Sequence, residues 1–185
     1  MNEETRRLLG QAEEHRSHHR FEAAAECLER ATRSADAGDR AGIWRRAAET
    51  WVEHGDVVRA GRCFREAGSL LAGSARIDCL FACWRAYVDG IVREEWECGF
   101  EWRGEGEEHA VDHDSHQRTI ETYHREGEQI LALMVAEAEP PRAEVLARAR
   151  AECARLEAQG GWGARRCRAM VSSVSGSPGR PGVDP

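Results

Sequence analysis

Residues 44–67 read WRRAAETWVEHGDVVRAGRCFREA, and the placing of large and small side chains in this stretch decides the fold. Trp44, Ala47, Ala48 and Trp51 recur at helical spacing, so one face of a first helix runs bulky, small, small, bulky. Gly55 then stops that helix and Asp56 caps the next. Glycine tolerates the left-handed end of one helix, and an aspartate oxygen accepts from the free N–H groups that open another. Ala60, Phe64 and Ala67 share one face of the second helix. Small residues let the paired helices approach closely, and the aromatics fill the space between one pair and the next.

Stepping 36 residues upstream finds a weaker copy. Ala12 corresponds to Ala48, Ala24 to Ala60, Leu28 to Phe64 and Ala31 to Ala67, while His15 stands where Trp51 does. Stepping downstream sets Tyr87 opposite Trp51, but no turn follows, because the helical pattern runs on past Gly90. This order of bulky and small positions resembles the tetratricopeptide repeat, and the 36-residue period with the phrase A-x-x-C-F-x-x-A at 60–67 is similar to the SNAP-like branch of such repeats. Seven of eight signature slots are acceptably filled; Ala72 replaces the usual closing proline. The resemblance covers residues 5–74 well and 75–100 loosely. A generic helical bundle is the other fold compatible with the pattern.

The rest of the chain is also read as helix. Strict alternation and β-branched runs are scarce, and Ala, Arg, Glu and Leu dominate. The expected helices span 3–16, 21–35, 40–54, 57–72, about 75–100, about 108–138 and 141–158, with an Ala-Gly-Asp turn at 37–39 and a short helical turn at 162–171. The expected architecture is therefore all-α: an antiparallel helix-hairpin solenoid of about 2.5–3 repeats. Repeats at about 5–36 and 41–74 are capped by the longer helices of 75–158. The whole of 1–171 is read as one domain, and the Ser-, Gly- and Pro-rich tail 172–185 as disordered.

Composition limits the function classes. The 185 residues are 41% hydrophobic and 32% charged, as in globular proteins, and no run approaches the ~18 apolar residues of a membrane span. The first residues lack the apolar stretch of an export signal, so a cytoplasmic location is expected. All 26 basic residues are Arg, which points to a GC-rich, bacterial genome rather than to 26 functional guanidinium groups. Net charge is −7 but uneven: residues 94–128 hold 12 acids against three Arg. Such a surface argues against nucleic acid as a partner.

The resemblance implies a protein-binding scaffold, without catalysis, that seats a partner peptide or helix on the inner surface made by the first helix of each pair. The corresponding residues here are Glu13, Arg16, Arg45, Glu49, Val52 and Glu53. Repeats that bind acidic chaperone tails use Lys and Asn at such places; this chain has no Lys and Asn only at position 2, so that activity is not expected. Arg45 and Glu49 also read as an ordinary i,i+4 pair on a solvated helix. Trp96, Phe100 and Trp102 are expected to pack between the fifth and sixth helices, the other option being an exposed anchor or a homo-oligomer surface.

One pattern points to different chemistry. In EEHAVDHDSHQRTIETYH, residues 107–124, His109, His113, His116 and His124 fall on one helix face with Ile120. Imidazoles at these spacings suit a transition metal such as zinc, which makes a metal-binding enzyme or sensor the alternative to a scaffold with no cofactor. Glu121 and His124 have the Glu-x-x-His spacing of di-iron bundles, for which Glu94, Glu97 and Glu101 are the available extra carboxylates, but no second such motif occurs. Because the stripe continues into Gly127, Leu131 and Met134, it also reads as the wetter end of a packing face, and the run of carboxylates beside the imidazoles makes a pH-sensitive contact a further reading. The seven cysteines form no C-x-x-C pair and are expected to be reduced, with Cys79 and Cys83 in the core.

Overall fold

The structure, a computed structural model, describes residues 1–101, 113–137 and 141–176, with backbone alone for 99–101 and 113. Among the described residues the fold is all-α, with eight helices and no strand: α1 (Glu3–Ser17), α2 (Phe21–Ser34), α3 (Ala37–His54), α4 (Val57–Ser69), α5 (Gly73–Glu101), α6 (His113–Ala136), α7 (Arg142–Ala158) and α8 (Ala164–Gly176). No helix among them is long and apolar enough to cross a membrane.

The chain divides into two compact units, Met1–Gly90 and the part from Ile91 onward, where the sequence reading expects one domain. The division falls inside α5. A helix of 29 residues is about 44 Å long, more than one small core can cover, so its two halves bury separately.

In the first unit each helix packs on the next, α1 on α2, α2 on α3 and α3 on α4. Local chemistry sets the boundaries. Asn2 opens α1, its side chain accepting from the Thr5 N–H at 2.8 Å. Gly55 ends α3 at φ 96°, and the Asp56 carboxylate accepts from Arg59 N at 2.9 Å to open α4, as the sequence predicts. The break between α2 and α3 falls earlier than expected. Ala35 and Asp36 are extended, and Ala37, Gly38 and Asp39 already form the first turn of α3 rather than a loop.

The 36-residue offset recurs in burial and backbone. Ala12 and Ala48, Ala24 and Ala60, Leu28 and Phe64, and Ala31 and Ala67 are all buried pairwise. His19 takes the left-handed conformation (φ 56°) at the position equivalent to Gly55. Along α5, Cys79, Cys83 and Tyr87 follow at i, i+4 and i+8, and the thiols of Cys79 and Cys83 donate to the carbonyls of Phe64 and Gly61 on α4 at 3.4 and 3.6 Å. Gly61 is required here, since a Cβ would stand 2.1 Å from the Tyr87 hydroxyl oxygen. Polar contacts join the helices as well: the Trp51 indole N–H donates to Glu29 at 2.7 Å, Arg62 pairs with the other Glu29 oxygen at 2.7 Å, and Arg65 donates to the Tyr87 hydroxyl at 3.4 Å.

In the second unit α6, α7 and α8 pack on one another around Leu131, Met134, Val145, Ala149 and Met170. Cys153 of α7 and Cys167 of α8 form a disulfide, against the expectation that every cysteine is reduced. Both lie on the buried faces of their helices, so the packing of α7 on α8 brings them together. The last helix also outruns its expected end at 171. Val174 is buried, and Arg142 donates to the carbonyls of Val174 and Ser175 at 2.6 and 3.1 Å, satisfying groups that a helix end leaves free. Residues 172–176 are therefore helical, and the remainder of the tail lies outside the described residues.

Candidate functional site

Helices α1 and α3 carry the six residues the sequence assigns to a partner, all within the first unit. Arg16 grips Glu53 with two hydrogen bonds, Nε to Oε2 at 3.1 Å and a terminal nitrogen to Oε1 at 2.5 Å. Glu13 pairs with Arg46, and Arg45 with Glu49 at 3.0 Å along α3. Val52 is exposed beside them. Arg46 is the residue that sequence reasoning missed. Its signal was weak, because the repeat register places Arg45 on the inner face while the fold turns Arg46 toward α1.

Every pair in this group is solvent-exposed, so each contributes at most a few tenths of a kcal/mol to about 1 kcal/mol. Their effect is to hold a charge-balanced surface in one arrangement. Beneath it, Ala12, Leu28 and Thr50 line a cleft with Glu13, Arg16 and Glu49, with about 20 Å³ of free volume. That is room for roughly one water, far below the several hundred Å³ of a small-molecule site.

The histidine stripe is only partly within the described residues. His109 lies outside them, and the His113 side chain is not described. His116 and His124 are both half-buried on α6 but stand eight residues apart, about 12 Å along the axis, too far to share one ion. Ile120, Leu131 and Met134 are buried, so the lower part of the stripe is a packing face.

His116 turns instead to α5. Its Nδ1 lies 2.7 Å from Glu94 Oε2, and the ligand-type atoms of Glu94, Glu97 and His116 all come within 4.8 Å of one another. All three residues are half-buried. Glu95, one position along, serves a structural purpose: it accepts from the Gly163 N–H at 2.7 Å and pairs with Arg166 at 3.3 Å, capping the start of α8.

Two thiols of the first unit are poor nucleophiles. Burial raises the Cys79 thiol above its ordinary value, and burial followed by the Glu29 charge pushes Cys63 up to about 12. Both changes favour the unreactive protonated form. Trp96 is 53% exposed, which corrects the expectation that it packs between helices; the Phe100 side chain and Trp102 lie outside the described residues.

No family model, no curated protein and no solved structure matches this chain.

Proposed function

We propose that this chain is a non-catalytic interaction scaffold built of tetratricopeptide-like helical hairpins, which seats an extended peptide or helix of another protein on the face shared by α1 and α3. The observation that carries the reading is the 36-residue recurrence of buried small residues and of the positive-φ turn at His19 and Gly55. A chain with that period sets equivalent helices side by side, so their outer residues form one continuous surface. Here the surface would present Glu13, Arg16, Arg45, Glu49, Val52 and Glu53: alternating charges around one apolar contact. A complementary partner carries both acidic and basic residues, because a segment of one charge sign would meet like charges as well as opposite ones.

A randomised peptide library displayed against the full chain tests this. Mixed-charge peptides should be selected, and Arg16→Glu and Arg45→Glu should each weaken their binding at least tenfold while Glu26→Arg, on α2, leaves it unchanged. Peptides that bind all three variants equally, or no selection above background, would remove the proposal. The variants should remain folded, since only exposed pairs are broken.

A further inference from the structure

We propose that Glu94, Glu97 and His116 form a binding site for one divalent transition-metal ion, independent of the scaffold reading. Three donors of two chemical types converge from two helices: two carboxylates three residues apart on α5, and one imidazole on α6. Metal–oxygen and metal–nitrogen bonds of about 2.0–2.2 Å hold ligand atoms roughly 3–4 Å apart. The observed spread of at most 4.8 Å closes to that with small side-chain rotations.

Charge gives a second, separate argument. Among the described residues no arginine pairs with Glu94 or Glu97, although the adjacent Glu95 has Arg166. Two half-buried carboxylates thus stand together in the segment 94–128, where 12 acids face three Arg. Like charges at this separation repel, and a divalent ion offsets both. The imidazole then selects the class of ion. Magnesium and calcium take oxygen ligands, whereas a mixed nitrogen and oxygen set suits zinc and its first-row neighbours. Three protein ligands leave a fourth position for water. For the imidazole to bind through Nδ1, its hydrogen bond to Glu94 gives way and the ring takes the tautomer with its proton on Nε2. The ion's effect on the second unit would be to tie the end of α5 to the first turns of α6.

The test uses the full chain stripped with chelator, Zn²⁺ as probe and a chromophoric chelator as competitor, with thermal unfolding in parallel. Wild type should take up one Zn²⁺ per chain and melt at higher temperature when loaded. Loss of an outer hydrogen-bond partner of a metal ligand weakens binding by about 10–100-fold, so removal of a ligand itself should cost at least about 100-fold. Glu97→Gln and His116→Gln should show that loss, while His124→Gln binds as wild type and Mg²⁺ fails to compete. Melting without metal establishes that each variant folds; Glu97, with no partner to lose among the described residues, carries the test if His116→Gln does not fold. No stoichiometric uptake by wild type, undiminished binding by Glu97→Gln, or equal competition by Mg²⁺ would each overturn the site.

Discussion

Replacing Gly61 by alanine tests the packing of α5 on α4 more sharply than any deletion would. An added Cβ would lie 2.1 Å from the Tyr87 hydroxyl oxygen, 2.5 Å from its Cζ and 3.0 Å from Cε2. The ring cannot retreat, since Tyr87 is 1% exposed. Overpacking a closed core costs about 1–3 kcal/mol, and contacts this short belong at the upper end. Alanine returns about 1 kcal/mol through its better helix propensity. The net expectation is a loss of about 2 kcal/mol. Two controls sit in the same unit: Gly10 of α1 and Gly42 of α3 are exposed, with nothing within 4 Å of the added atom, so alanine there should stabilise by up to about 1 kcal/mol. Urea unfolding followed by near-ultraviolet circular dichroism, to which the buried Trp51 and Trp84 contribute, measures all three. If Gly61→Ala is as stabilising as Gly42→Ala, the close approach of α4 and α5 is wrong.

Two further outcomes follow from the cysteines. The Cys153–Cys167 bond spans 14 residues, and closing a loop of that size stabilises by about 3 kcal/mol, so replacing both by serine should lower the urea midpoint of the second unit, and reductant should do the same to wild type; an unchanged midpoint in both would mean that the thiols are not linked. Among the free cysteines, Cys98 is the one that is not buried, so a thiol reagent at pH 8 should label it first, and Cys63, pushed up to about 12, should stay unlabelled until the chain unfolds. Peptide mapping by mass spectrometry that found Cys63 labelled early would refute that burial.

Local patterns carried the helices. Of the apolar stripe Ile77, Leu80, Phe81, Trp84, Tyr87, Val88 and Ile91, every position is buried but Phe81, which is half-buried, and Gly55 with Asp56 marks a turn whose chemistry is contained in two adjacent residues. Features that depend on register between distant helices were not legible. Glu94 and Glu97 stood out as available carboxylates, yet their meeting with His116 depends on how α5 lies against α6. The Cys153–Cys167 pairing likewise depends on how α7 meets α8. Ala37–Gly38–Asp39 was misleading because a turn-forming composition was overridden by the extended pair Ala35–Asp36 immediately before it.

The contacts of Trp51 and Tyr87 have a consequence for the order of the helices. Both aromatics occupy equivalent positions, and each meets the residue 22 places before it: the Trp51 indole donates to the Glu29 carboxylate, while the Tyr87 hydroxyl accepts from the Arg65 guanidinium. The same joint is thus keyed twice with opposite polarity. An indole at position 87 would set its N–H against a guanidinium, and a donor facing a donor in a part-buried joint loses its bond and keeps part of its desolvation cost. Neither hairpin can take the other's place without carrying its mate along, so the sequence of modules is written into which partner gives the hydrogen and which receives it.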